Sequence, residues 1–223
     1  MAWILNIETA STNCSVALFE GTHLRALRED PSPGYSHGEL LHVFIGEVLT
    51  EAGIAGTTLE AVAVSKGPGS YTGLRIGVAS AKGLCFALGI PMIALPTLSV
   101  LAAGAQVSDG LLIPMLDARR MEVYSAVLDM EGNEVRETRA EILDAGSFRE
   151  FRGRGPLHLI GSGASKGREV LGNEPFIYHA DLQPSAQQMG PMAHRAFLSG
   201  QFEDLAYFEP YYLKDFIGTL KKG

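Results

Sequence analysis

Short apolar runs alternate along this chain with stretches in which apolar residues recur every three to four positions. The switches between these two periods mark its elements. Residues 3–7 are mostly apolar and are closed by the polar run Glu8-Thr-Ala-Ser-Thr-Asn13, as a buried strand would be. Residues 14–20 alternate as a second strand, Gly21 turns the chain, and 23–29 return as a third. After a Pro-rich loop at 31–34, Ser36 and Glu39 spell a capping box. Leu41, Phe44, Ile45, Val48, Leu49 and Ala52 then follow helical spacing over 36–52, with Gly53 placed to end the helix. Residues 59–66 predict a fourth strand, 67–73 a glycine-rich turn and 74–88 a second helix. Residues 83–108 carry no charge, yet Pro91 and Pro96 interrupt them. They therefore predict a helix end, a buried strand at 90–95 and a further helix rather than a membrane span.

The second half echoes the first. Residues 111–116 form an apolar strand that ends at Asp117, as the first strand ends at Glu8. The turn Ala118-Arg119-Arg120 follows, 122–128 alternate, 129–133 turn and 134–142 return. A strand at 157–160, a loop at 161–165, a helix to Leu171, a strand at 176–179, a helix over 184–199 and an aromatic tail at 207–212 complete the pattern. A strand, an acidic turn and two more strands, occurring twice, is the order of a duplicated β-β-β-α unit around a cleft. That is the actin-like, sugar-kinase-like architecture, divided here into 1–107 and 108–223.

Composition narrows the class. With 223 residues, 46% hydrophobic and 19% charged, the chain can fill a core without disulfides or metals and is not intrinsically disordered. A net charge of −7 sets its surface against a phosphate backbone and argues against a stand-alone nucleic-acid binder. The acidity is concentrated in residues 1–60, whereas the locally basic stretch holds Lys66, Arg75, Lys82, Arg119 and Arg120. An anionic ligand or acidic partner would go there first. Cys14 and Cys85 sit in apolar runs without metal-ligand spacing, and the first residues lack the basic segment of a signal peptide. A reducing cytoplasm is the expected compartment.

In an actin-like half, hairpin amides and the acidic residue at the end of the first strand face nucleotide phosphates. Glu8, Ser11 and Thr12 stand there in the first half, Asp117 stands there in the second, and Gly161 and Gly163 match the adenine-side loop. The first turn lacks an Asp-x-Gly arrangement, and the second has two arginines and no glycine. These residues read as a vestigial nucleotide cleft, with no cofactor required and at most weak ATP or ADP binding. Residues 67–73 lack the Gly-Lys-Ser/Thr of a Walker loop, which leaves either a tight strand-to-helix turn or an anion site at a helix N-terminus. Ser70 is not in a Gly-x-Ser-x-Gly elbow. The histidines at 23, 37, 42, 158, 179 and 194 show no metal-type pairing, so no metal site is expected. Gly73, Gly77 and Ala81, four apart, make a stripe of small residues that suits either packing within the chain or close approach of another molecule's helix.

Four motifs bring a family into view. Ile-Leu-Asn-Ile-Glu-Thr-Ala-Ser-Thr-Asn-Cys-Ser-Val-Ala-Leu at 4–18 resembles the opening of the TsaB (YeaZ) proteins. Gly-Pro-Gly-Ser-Tyr-Thr-Gly-Leu-Arg-Ile-Gly at 67–77, Leu-Asp-Ala-Arg-Arg-Met-Glu-Val-Tyr at 116–124 and Pro-Tyr-Tyr-Leu-Lys at 210–214 resemble later family motifs, in the family's order. The resemblance implies an actin-like (ASKHA, ribonuclease H-like) α/β fold of two mixed-sheet subdomains flanked by helices. It implies a protein without catalytic residues of its own that forms a heterodimer with TsaD and, with TsaE, serves transfer of threonylcarbamoyl from threonylcarbamoyl-adenylate to the adenosine beside the anticodon of tRNAs. TsaD carries the chemistry, and tRNA is met only through the complex. The family contact is a bundle of each partner's first two helices, where TsaB alone pairs with itself. Here those helices carry Leu41, Phe44, Ile45, Val48, Gly73, Leu74, Gly77, Val78 and Ala81, so Gly77→Leu is expected to block the contact and leave the fold intact. Glu8 where many members have Asp, and Arg120-Met121 where many read Met-Gly, depart from the pattern. An active ATP-dependent kinase or ATPase, with Glu8 and Asp117 acting across the cleft, is the alternative. No nucleophile, base and metal set supports a protease.

Overall fold

A computed structural model describes residues 1–32, 34 and 36–213; Pro33, Tyr35 and 214–223, with Lys214 of the last motif and the end of the expected unit 108–223, lie outside the described residues. The first half runs β1 (Trp3–Glu8), β2 (Cys14–Glu20), β3 (His23–Asp30), α1 (His37–Glu51), β4 (Ala61–Gly67), α2 (Tyr71–Leu88), β5 (Met92–Pro96) and α3 (Thr97–Ala102). The second runs β6 (Leu111–Asp117), β7 (Glu122–Leu128), β8 (Glu134–Ile142), β9 (Leu157–Ile160), α4 (Ala164–Leu171), β10 (Phe176–His179) and α5 (Ala186–Leu198). The first sheet has the order β3-β2-β1-β4-β5, and the second, read from its opposite edge, has β8-β7-β6-β9-β10. In both, the three hairpin-linked strands are antiparallel and the last two run parallel to the first. The duplication is therefore one of topology, and the fold is the actin-like one.

Each sheet is apolar on both faces because neighbouring residues on a strand point to opposite sides. On the first sheet Leu5, Ile7, Val16 and Val62 meet Leu41, Ile45 and Val48 of α1 and Val78, Ala81 and Cys85 of α2. Their neighbours Ile4, Ala17, Ala61 and Ala63 meet Ala186, Met189 and Ala193 of α5. The second sheet sets Ile113, Leu157 and Leu159 against α4, and Leu112, Leu116 and Ile160 against Leu98 and Leu101 of α3. The sheets thus divide between 1–107 and 108–223, but their helical layers do not. Helix α3 of the first segment sets Leu98 and Leu101 on the second sheet and Val100 on the first, and α5 of the second segment lies on the first sheet. This crossover ties the two segments together through α3 and α5.

Local ends differ from expectation for identifiable reasons. Helix α2 begins at Tyr71 because the Ser70 hydroxyl accepts the Gly73 amide at 3.2 Å. The capping box at Ser36 and Glu39 does not form; Ser36 Oγ instead donates to Asp30 Oδ2 at 2.7 Å. Gly53 and Gly89 follow α1 and α2 in left-handed conformation, as helix-terminating glycines do. Cys14 and Cys85 are buried free thiols, and burial pushes each up to about 11. Among the described residues no helix is long and apolar enough to cross a membrane.

Candidate functional site

The turn after β1 is where a nucleotide's phosphates would meet the first half, and Glu8 already occupies it. Its carboxylate is wholly buried. Oε1 accepts the Ala10 amide at 2.6 Å, Oε2 accepts the Ser65 hydroxyl, and the Thr9 amide also reaches the group. Burial raises this carboxyl to about 7 against the pull of those three donors. The rest of the turn is tied to its surroundings. Thr9 Oγ1 donates to Gly73 O at 2.8 Å, and the Ser11 carbonyl lies 2.8 Å from His37 Nε2. Thr12 Oγ1 donates to Gln183 Oε1, and Asn13 Nδ2 to Pro184 O.

The second turn has the same internal bond. Asp117 Oδ1 accepts the Arg119 amide at 2.6 Å, and the same oxygen takes Lys166 Nζ at 2.6 Å. Arg119 and Arg120 both hold positive φ, of 73° and 50°, a conformation uncommon without glycine. Gly161 and Gly163 serve packing. A Cβ on Gly161 would lie 2.5 Å from Leu101 and 2.7 Å from the Met115 carbonyl, and one on Gly163 would lie 3.0 Å from Val123. The Gly163 amide is given to Met115 O. In each turn the acidic side chain that ends the strand already accepts the amide two residues on.

Residues 67–73 are clasped by the chain itself, which favours the tight turn over an anion site. The Ser70 amide donates to Ala10 O at 2.7 Å, and the Tyr211 amide to Lys66 O at 2.6 Å. Cβ atoms on Gly67 and Gly69 would lie 2.6 Å from Tyr211 O and 2.4 Å from Ala10 O. Of the nearby basic residues, Arg75 lies over the Tyr71 ring and Lys82 Nζ donates to Phe208 O.

The helix pair corrects the expected partner residues. Leu41, Ile45, Val48, Gly73, Leu74, Gly77, Val78 and Ala81 are buried in the chain's own core, and Phe44 is partly so. The small-residue stripe lets α2 lie against the β1–β2 turn. A Cβ on Gly73 would meet Thr9 O at 2.1 Å, and one on Gly77 would meet Thr9 Oγ1 at 2.2 Å. Gly77→Leu would therefore strike the fold itself. The exposed face carries different residues: His42, Val43, Gly46 and Thr50 on α1, and Ala79, Gly83, Phe86 and Ala87 on α2. Phe86 is 84% and Val43 51% exposed. Ala79, Gly83 and Ala87 repeat the four-residue spacing two positions on from Gly77 and Ala81, which is about 200° around the helix. A shallow groove of about 360 Å³ lined by His42, Ala79, Ser80, Gly83 and Leu84 runs there. The sequence carries both stripes of small residues, and only the packing of α2 against Thr9 tells which of them faces outward.

Among the described residues no group of three or more His, Cys, Asp or Glu side chains could hold a metal. Residues 34–150 match the family model described as TsaD: tRNA N6-adenosine threonylcarbamoyltransferase. The chain is 32% identical to the tRNA threonylcarbamoyladenosine biosynthesis protein TsaB of Escherichia coli over 98% of this chain and 97% of that one. It is 45% identical to the Bacillus subtilis protein of the same name over 37% of this chain and 36% of that one. In structure it is similar to YeaZ from Pseudomonas aeruginosa, with a TM-score of 0.83, 25% identity and coverage of 96% of this chain and 100% of that one.

Proposed function

The chain belongs to the TsaB family of tRNA threonylcarbamoyladenosine biosynthesis proteins, and from that premise we propose that it is the non-catalytic partner of TsaD in the complex that places threonylcarbamoyl on tRNA. The observation that carries the non-catalytic role is the use made of Glu8 and Asp117. Glu8 is sealed against Ser65 and the Ala10 amide, and Asp117 is held by Lys166 and the Arg119 amide. A phosphate entering either turn would have to displace a carboxylate from its own amide. The role requires no nucleotide.

TsaD docks, in this reading, on the outward face of α1 and α2, with Phe86 and Val43 as apolar anchors and the bare surface at Ala79 and Gly83 admitting a helix closely. The same face serves self-pairing when the chain is alone. TsaE joins the pair, and tRNA is held by basic surface elsewhere in the assembly, since this chain carries −7. The setting is the cytoplasm.

The test mixes the purified chain with TsaD of its own organism and reads complex mass and threonylcarbamoyl transfer to tRNA with TsaE present. Transfer that needs the chain, together with no magnesium–ATP turnover by the chain alone, supports the proposal. ATP turnover by the chain alone that disappears in Glu8→Ala would instead establish the kinase or ATPase reading.

A further inference from the structure

Two histidines outside the docking face meet at the edge of the second sheet. His158 on β9 and His179 on β10 lie on adjacent parallel strands, where His158 pairs with Ile177 and His179 with Ile160. Two residues separate the positions in register, so both side chains leave the same face one step apart. His158 Nδ1 lies 3.0 Å from His179 Nε2, and the rings are inclined by 31°. His158 is buried, and its Nε2 lies 3.1 Å from the carbonyl oxygen of Asp109. A carbonyl only accepts, so His158 carries its proton on Nε2 and presents a bare Nδ1 to its partner. An imidazole whose far nitrogen is fixed by a backbone carbonyl is the arrangement found behind metal-ligating histidines.

The spacing suits one ion. Metal–nitrogen bonds of about 2.0–2.1 Å at angles of about 90–110° put two ligand nitrogens about 2.9–3.4 Å apart. We propose that His158 Nδ1 and His179 Nε2 form a two-nitrogen site for a transition-metal dication of the zinc class, with water completing the coordination. Without the ion, His179 Nε2–H donates into the bare His158 Nδ1. When the ion binds, that proton is exchanged through solvent to Nδ1 of the same ring, and the freed Nε2 lone pair goes to the metal. The proton only changes nitrogen within the His179 ring, so the step itself neither releases nor takes one up. His179 is only partly buried, on an edge strand, which gives the ion a way in from solvent. Imidazole nitrogens favour zinc, copper and nickel, whereas magnesium prefers oxygen.

The test uses the full, tag-free chain stripped with a chelator and titrated with Zn²⁺, with binding heat and melting temperature as readouts. One ion bound per chain is expected, with a melting temperature that rises with Zn²⁺ and is indifferent to Mg²⁺. His179→Gln should weaken binding at least about tenfold and remove the Zn²⁺-dependent thermal shift, read against the variant's own ion-free melting temperature. Wild-type protein that shows neither heat nor shift with Zn²⁺ overturns the proposal. So does binding that survives unchanged in His179→Gln, which would place the ion on other histidines. His158→Gln, at a buried position, is the confirming variant, and the more exposed His179 carries the decision if it fails to fold.

Discussion

Glu8 and Asp117 occupy the same place in the two halves: each is the last residue of its half's first strand, and each accepts the amide two residues ahead at 2.6 Å. Their surroundings separate them. Glu8 is wholly buried, whereas the Asp117 side chain is 47% exposed and faces Lys166. One duplicated hydrogen bond is therefore a core contact in the first half and a surface contact in the second.

The burial of Glu8 should be visible as pH-dependent stability. The folded chain holds the proton to about 7, whereas the group in an unfolded chain loses it near 4.5. The stability it contributes is full below the unfolded value and is lost as pH rises through 4.5 to 7, a change of about 3 kcal/mol. Urea unfolding of wild type and Glu8→Gln at intervals from pH 4 to 8 checks this. The wild type should lose ground to the variant across that range and run parallel to it above. Parallel curves throughout would show that Glu8 titrates normally.

Gly77 and Gly83 should respond in opposite directions. A side chain at Gly77 collides with Thr9, so Gly77→Leu should cost about 3 kcal/mol or more, seen as a large fall in melting temperature. A Cβ at Gly83 meets nothing within 4 Å, and replacing a helical glycine on an exposed face with alanine should gain about 0.5–1 kcal/mol. Equal melting temperatures for the two variants would contradict the inward and outward assignment of the stripes.

The same two faces separate stability from binding. Gly83→Leu and Phe86→Ala should each weaken association with TsaD by at least about tenfold while the isolated chain keeps its fold. Calorimetric titration against TsaD reads this. Unchanged affinity in both variants would move the docking site elsewhere.

Lys166→Ala should alter stability by less than about 1 kcal/mol, because its partner Asp117 is half exposed and solvent screens the pair. Asp117→Asn should leave the rate of tRNA modification by the assembled complex unchanged. A large loss of rate would return Asp117 to a direct role.

Much of the fold was legible because both periods are strong here. The limits of β2, β7, β8, β9 and β10 match the alternating or apolar runs, and the echo of Glu8 in Asp117 marks the duplication in the sequence itself. What failed were readings that depend on a distant partner. Ser36 carries the right residue for a cap but finds Asp30 nearer, and the Gly73–Gly77–Ala81 stripe carries the right spacing for a partner but finds Thr9. The meeting of His158 and His179 was hidden for the same reason, since only parallel register joins residues so far apart in sequence.

The return of α5 to the first sheet sets the order in which the molecule can be completed during synthesis. All five strands of that sheet have been made by Pro96, but the face bearing Ile4, Ala17, Phe19 and Ile93 lacks α5 until the chain has been extended to Leu198. At about 5–20 residues per second, that interval lasts about 5–20 s. For its length the nascent chain presents a finished sheet with one apolar side that α5 has yet to cover, and any chaperone that meets this protein on the ribosome should be found on that face.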